Sequence, residues 1–341
     1  MKELELFCLK VLRYSRLRNY EGYSKFDALN SPILNDFSFN SQTFRTLYVN
    51  LINSSFINLR PLFLVKKSRN PKGIALFIRA WLFLFQRTHN SKYLNEALVL
   101  LDWLKLNRSP NFSNYCWGYN FPWQSGNFFQ AKNEPNIIVS IFVGEAFLHA
   151  YSLTQKKEYL DVAISISNFI IEDLPKLLDN EDQLAISYVT TPSKSIVVNN
   201  QALSASFLSK IWKYNNDLTL LQIAKKQITY VISQTTDYAC WYYTDPPYNS
   251  RITHDNYHTG GILDGLLEYM ELTEDFSHKN IYFKGLDYYV NNLFTKSGAP
   301  KWMMNKTYPH DIHGSAQGII SLSKASNHTQ AYCKQLDKIV N

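Results

Sequence analysis

The sequence predicts an all-α protein, an (α/α)6 toroid of six helical hairpins with aromatic-rich loops at one mouth. Three observations predict it. Glycine and proline are scarce, 12 of each in 341 residues, which argues against a turn-rich β architecture. Apolar residues recur at helical spacing along most of the chain. One outline also repeats about every sixty residues: helix, tight polar break, helix, then an aromatic extended piece.

The breaks carry the repeat. RTHNSKYLNEAL (Arg87–Leu98) is echoed by LTQKKEYLDVAI (Leu153–Ile164) and KYNNDLTLLQIA (Lys213–Ala224), and more loosely by TEDFSHKNIYFKGL (Thr273–Leu286). The helical patterns pair as Glu3–Tyr20 with Ser41–Ser54, Lys72–Thr88 with Lys92–Lys105, and Pro135–Leu153 with Lys157–Leu174. The remaining pairs are Asn199–Tyr214 with Leu218–Gln234, Asn256–Leu272 with Lys279–Phe294, and Ile312–Lys324 with Thr329–Val340. Amphipathic hairpins at a steady period bury their apolar faces on neighbours, in an open solenoid or a closed ring. Six are enough to close one ring, so residues 1–341 are expected to form a single domain.

The aromatic pieces keep the same phase: CWGYNFPW, AISYVTT, ACWYYTD and PKWMMNKTY. The rings of Trp117, Tyr119, Trp123, Trp241 and Trp302 are therefore expected at one mouth. Aromatics make up 15% of the chain. They suit either a large core or a sugar cleft, where ring faces meet sugar C–H groups.

Charge and cysteine usage narrow the class. The net charge of +7 is spread thinly. It suits an oligosaccharide, polysaccharide or sugar-nucleotide ligand, an anionic one included, and no nucleic-acid motif accompanies it. Cys8, Cys116, Cys240 and Cys333 are far apart and read as free thiols in a reducing compartment. The N-terminal MKELELFCLKVLRY carries Glu3 and Glu5 where a signal peptide is basic. The most apolar run, IALFIRAWLFLF, is too short to span a bilayer and contains Arg79. The expectation is a cytoplasmic protein without a membrane span, and no cofactor is expected.

Loop-to-helix junctions should converge in such a ring, and polar residues concentrate there. RITHDNYHTGGILDGL (Arg251–Leu266) holds His254, Asp255 and His258; YPHDIHGSAQGI (Tyr308–Ile319) holds His310, Asp311 and His313. Four of the eight histidines sit in these two stretches. Glu134, Asn136, Asn199 and Asn200 occupy the same phase in other repeats. Helix capping accounts for the Asn and Asp residues but not for the histidines. A metal site is disfavoured, because a zinc-peptidase helix needs Glu where Asp255 stands and His254 precedes the helix. The candidate catalytic set is Asp255 and Asp311, with His258 and His313 beside them and Glu145 in reserve within an apolar helix. The candidate ligand-binding set is Trp117, Tyr119, Trp123, Gln124, Trp241, Arg251, Asn305, Lys306 and Tyr308. For each acid the alternative is a plain cap, for His258 a satisfied interior histidine, and for the aromatics a hydrophobic plug.

A run of motifs resembles the VpsJ-like polysaccharide biosynthesis proteins of bacteria: FDALNSPIL at Phe26, NLRPLF at Asn58, RNPKGIALF at Arg69, CWGYNFPWQS at Cys116, PNIIVSIFVGEAFLHAY at Pro135, NYHTGGILDGL at Asn256 and NKTYPHDIHGSAQGI at Asn305. Together they cover nearly the whole chain in order. That family looks like the six-hairpin glycosidase-type toroids, which include hydrolases, lyases and sugar epimerases. The resemblance implies a role in making capsule, O-antigen or exopolysaccharide, and delivers no reaction. Glycoside hydrolysis would require two carboxylates flanking the bond, here Asp255 and Asp311. Epimerase or lyase chemistry at a uronate needs a base, an acid and a cation, which suits His258, His313, Tyr308, Arg251 and Lys306 better. A non-catalytic glycan-binding or assembly factor would keep the aromatics and the basic residues but not depend on the acids.

Overall fold

The computed structural model describes residues 2–124, 129–191 and 193–340; Ser125, the last residue of CWGYNFPWQS, lies outside them. The chain is mainly helical. Its helices are α1 (Lys2–Arg16), α2 (Pro32–Asp36), α3 (Gln42–Ser54), α4 (Pro71–Thr88), α5 (Ser91–Leu106), α6 (Ile137–Thr154) and α7 (Lys157–Asn168), followed by α8 (Val198–Asn215), α9 (Leu218–Ser233), α10 (Asn256–Thr273), α11 (Lys279–Asn292), α12 (Ile312–Ala325) and α13 (Cys333–Val340). The predicted helices are all present, and five of the six predicted pairs pack together. The first pair does not: among the described residues α1 is not packed on α3, and its ion pairs run instead to Arg87 of α4 and Glu96 of α5. The other differences are small: α1 ends at Arg16 rather than Tyr20, α2 was not anticipated, α7 gives way to a π-turn at Phe169–Asp173, and α13 starts at Cys333 rather than Thr329. Among the described residues the strands form only two-stranded antiparallel pairs, such as Ile196–Val197 with Thr244–Asp245.

The polar breaks are helix-to-helix caps. α4, α6, α8 and α10 each run eighteen residues and end on a left-handed residue: His89, Gln155, Asn216 and Glu274. That conformation sends the chain back on itself and lets the cap N–H satisfy a terminal carbonyl, as His89, Gln155 and Asn216 do. In the first three hairpins the next residue is already the following N-cap: Asn90, Lys156 and Asp217. Asn90 and Asp217 accept a backbone N–H two residues on, each such cap contributing about 1 kcal/mol.

The chain divides into two compact units, Met1–Phe169 and Ile170–Asn341. In the first, α4 packs on α5 and α6, and α6 on α7. α6 is apolar around most of its circumference and is largely buried, as such a helix must be in water. It is the one helix long and apolar enough to cross a membrane by length and composition among the described residues, and most of it is inside the protein. A smaller core joins Ala28, Leu29 and Leu34 to Val49 and Ile52 of α3.

In the second unit α8, α10 and α12 lie side by side, with α9 behind α8, α11 behind α10 and α13 against α12. A partly buried ionic cluster cross-links the three. Glu268 of α10 accepts from Lys210 of α8 at 2.8 Å and from Lys324 of α12 at 2.7 Å, and also from Ser206. Burial alone would push the Glu268 carboxyl up, but the two lysines hold it well below the usual range. Asp264, one turn earlier, takes Gln317 Nε2 at 2.8 Å; burial pushes its carboxyl up. Removing one partner of such a cluster leaves a partly buried charge without its counter-ion, so these residues favour one spacing of the three helices.

The α8–α10 crossing is closest at Gly265, where a Cβ would stand 2.5 Å from the Ala202 carbonyl oxygen. Helix propensity favours alanine over glycine by about 1 kcal/mol, but overpacking against backbone costs about 1–3 kcal/mol. We expect Gly265→Ala to lower the urea midpoint. An unchanged or raised midpoint would show that the two helices are not held this close.

Candidate active site: two aspartate–histidine pairs

The site in the Ile170–Asn341 unit is built where two loops are stapled together. His254 is buried, with Nδ1–H donating to the Trp241 carbonyl at 2.9 Å, Nε2 accepting from Tyr238 Oη, and Tyr242 packed on its ring at 4.1 Å. A carbonyl only accepts, so the tautomer follows from that bond. Burial lowers the His254 pKa, against an upward pull from the Trp241 carbonyl, and burial pushes the Tyr238 phenol up to about 12. Both groups are therefore neutral anchors. The His254 carbonyl in turn accepts Met304 N–H at 3.0 Å, and Asp255 bridges to Met303. The 302–307 loop is thereby tied to the start of α10. Its tight turn, closed by paired Met303–Lys306 backbone bonds, leaves Asn305 and Lys306 exposed.

From this frame the two acids enter in the same way. Asp255 is the N-cap of α10. One oxygen, Oδ2, accepts the His258 backbone N–H at 3.2 Å and His258 Nδ1–H at 2.8 Å. Asp311 is the N-cap of α12, and its Oδ1 accepts the His313 backbone N–H at 3.0 Å and His313 Nδ1–H at 2.8 Å. A carboxylate can only accept, so each imidazole carries its proton on Nδ1 and turns Nε2 away from the acid. No partner for either Nε2 is found among the described residues. Asp255 Oδ1 is buried and also without a hydrogen-bond partner.

The two pairs converge. Tyr257 stands between the imidazoles, 5.2 Å from His258 and 5.7 Å from His313 between ring centroids, edge-on to both. Tyr243 covers His258 at 4.3 Å. His258 is mostly buried, with 22% of its side chain exposed, while His313 is 68% exposed. One imidazole is sheltered and the other is open to solvent.

Both aspartates are N-caps, as the capping alternative expects. Each commits one oxygen to a helix N–H and to Nδ1–H. Nε2 of His258 and of His313 keeps its lone pair, and Asp255 Oδ1 keeps its own. Tyr243 and Tyr257 had not been singled out. Tyr257 lies inside HDNYH, and Tyr243 inside ACWYYTD, so the signal was present as aromatics in the right phase.

The predicted aromatics differ in burial. Trp241 is 1% exposed, its indole N–H donating to the Val231 carbonyl at 2.9 Å, and it fills the space beside Gly285. It offers no face to a ligand. Trp117, in the Met1–Phe169 unit, is fully buried, with its indole N–H on the Leu104 carbonyl at 2.9 Å. Both tryptophans are core residues, correcting the ligand-binding assignment. Tyr119 and Trp123 are half-buried, Tyr119 stacked on Phe121 and meeting Trp123 edge-on at 5.8 Å. Gln124 accepts from Arg45 at 3.5 Å. Glu145 is half-buried on α6 and acts on His149, whose pKa burial and Arg79 lower to about 4 against Glu145's upward pull. All five of these residues belong to the first unit. In the second unit Trp302 is half-buried, while Arg251 and Tyr308 are exposed. Among the described residues no group of three or more His, Cys, Asp or Glu side chains is placed to hold a metal ion.

Comparison with solved structures places this fold. The chain is similar to a sugar epimerase from a ruminal bacterium (11% identity, 90% of each chain, TM-score 0.58). It is similar to the cellobiose 2-epimerase of Spirochaeta thermophila (11% identity, 76% of this chain and 71% of that one, TM-score 0.58). It also resembles a family 76 α-mannanase of Bacteroides thetaiotaomicron (14% identity, 77% and 72%, TM-score 0.54). The chain therefore has the (α/α)6 toroid fold shared by carbohydrate-active hydrolases and sugar epimerases. No protein-family profile matches it, and no curated protein matches it.

The buried neutral histidines predict a pH dependence. A histidine whose folded pKa is depressed contributes stability that is full above its ordinary value of 6.5 and is lost as pH falls toward the folded pKa. Unfolding free energy should thus drop between pH 6.5 and about 4 for His149, with His254 adding in the same direction. His149→Gln and His254→Gln should each flatten that slope in urea titrations at stepped pH. Slopes identical to wild type would show that these rings are protonated in the folded protein.

Proposed function

We propose that this protein is a carbohydrate-active enzyme that moves a proton at a sugar carbon next to a carbonyl or carboxylate, as an epimerase, isomerase or lyase does. The observation that carries this is the pair of imidazoles with Nδ1–H held by a capping carboxylate and Nε2 unoccupied, on either side of Tyr257. Such a carboxylate keeps the tautomer and ring orientation fixed while Nε2 takes or gives the proton. His258, the sheltered ring, is the base. His313 returns or removes a proton on the open side. Tyr257, between the rings, is within reach of the substrate oxygen whose charge changes. Asp255 Oδ1 is a buried acceptor awaiting a substrate hydroxyl. Arg251 and Lys306 supply positive charge for an anionic sugar.

The hydrolase reading is weaker on the same geometry. Hydrolysis uses two carboxylates free to act on the bond, and here each aspartate has one oxygen committed to both a helix N–H and an imidazole, which leaves Asp255 Oδ1 to bind and the two Nε2 atoms to move protons. The likeness to solved sugar epimerases supports the proposal at the level of fold. We place the reaction in bacterial surface-polysaccharide biosynthesis on the motif resemblance. The absence of a disulfide among the four cysteines supports a reducing, cytoplasmic setting.

The test is exchange of carbon-bound hydrogen with D2O, followed by NMR over mannose, glucose, cellobiose and glucuronate. Wild type should incorporate deuterium next to the carbonyl or carboxylate of at least one. His258→Gln and His313→Gln should each slow this by about 10²–10⁴-fold with helicity unchanged. Asp255→Asn, which keeps the cap, should slow exchange as well. Bond hydrolysis without exchange, or full exchange in both histidine variants, would sink the proposal. In cells the histidine variants should lose the surface glycan.

A further inference from the structure

The second feature of this chain that calls for a partner lies in the first unit. Between Asp36 and Glu96 there is no aspartate or glutamate at all, although the chain as a whole has 28. The same stretch carries nine lysines and arginines. It also carries much of the exposed apolar surface. On α3, Arg45, Val49 and Ile52 face inward, while Phe44 (43% exposed), Leu47 (55%) and Leu51 (46%) form an outward stripe at i, i+3 and i+7. The stripe is continued at its start by a chain of ring contacts, Phe37 to Phe39 at 6.3 Å, Phe39 to Phe44 at 6.2 Å and Phe44 to Tyr48 at 6.3 Å. At its end, past the Ser55 cap, Phe56 stands fully exposed and Ile57 is 69% exposed. Leu62 and Leu64 project from the same loop, and Lys66 and Lys67 follow, both exposed. A helix apolar on both faces leaves one face needing cover, and a patch of this size on a soluble surface marks an interaction site.

We propose that this face, the outer stripe of α3 with the Phe56–Ile57 tip, docks onto an anionic lipid surface. Charge decides the occupant. A stretch with no acid between Asp36 at its edge and Glu96, and with exposed lysines in the loop that follows its apolar tip, complements anionic headgroups, with the rings and aliphatic chains entering the headgroup–acyl boundary. A second copy of this chain is disfavoured, because a two-fold contact sets the same cationic stretch against itself. A glycan is disfavoured because Leu47, Leu51 and Ile57 continue the face with aliphatic surface. This inference is independent of the proton-transfer reading.

The experiment is sedimentation of the full chain with vesicles of phosphatidylcholine, with or without phosphatidylglycerol. Wild type should pellet with the phosphatidylglycerol vesicles and detach as salt is raised. Phe56→Ser/Ile57→Ser should weaken partitioning at least about tenfold. Lys66→Gln/Lys67→Gln should weaken it about fivefold per lysine, and only toward anionic vesicles. Leu218→Ser, an equally exposed leucine in the second unit, should change nothing. All of these positions are exposed, and unchanged helicity would confirm that the variants are folded. No pelleting by wild type on any vesicle would overturn the proposal. So would binding that ignores both double substitutions, self-association lost in Leu47→Glu by ultracentrifugation, or retention on polysaccharide alone.

Discussion

One carboxylate oxygen, Asp255 Oδ2, serves two donors, and the local structure depends on its doing so. It ends α10 by accepting a backbone N–H, and it orients His258 by accepting Nδ1–H. The helix start and the imidazole therefore share one acceptor. Shifting the cap by a residue would re-aim the ring, whereas rotating the ring away would lose the Nδ1–H bond and leave the backbone cap in place. Asp311 repeats the arrangement on α12 with a histidine one position closer. The spacing differs because the cap can reach either of the first N–H groups, and the side-chain bond follows whichever backbone bond is made.

Behind these caps lies a layer that holds the helices at a set distance. Glu268 is bonded from both sides, by lysines of α8 and α12, and Gly265 lets α8 approach without a side chain between. Close approach and ionic cross-linking act together. The ionic contacts lie in the C-terminal halves of the three helices, on α12 in its last turn, so α10 and α12 are fixed against each other at the end away from their N-terminal caps. On the loop side His254 does the equivalent work, as a neutral ring bonded at both nitrogens that ties the Trp241 segment to the start of α10. A site built on helix ends with locked supports is better placed to transfer protons than one on free loops.

The aromatic loops show how one residue type divides between two uses. Trp117 and Trp241 sit at equivalent points of their loops, and each gives its indole N–H to a carbonyl of the preceding helix, Leu104 or Val231. They anchor loops to helices. The tyrosines beside Trp241 are the ones that reach the histidines, Tyr242 toward His254 and Tyr243 toward His258. Successive residues of an extended segment point to opposite sides, so Trp241 faces the core and its neighbours divide between the two imidazoles.

The helices, and the pairing of all but the first, were legible in the residues themselves, because period, polar breaks and capping side chains are local quantities; α1 and α3, joined by no tight polar break, do not pack as a pair. So was the clustering of His and Asp at the starts of α10 and α12. The division of labour within those clusters was not legible. Which atoms of Asp255 and His258 stay free, here Oδ1 and Nε2, depends on which atoms the helix N–H groups consume, and that is settled by cap geometry. Whether Trp241 faces ligand or core depends on what packs beside Gly285. Burial, tautomer and the convergence of two stretches more than fifty residues apart are properties of packing, and only the tertiary structure supplies them.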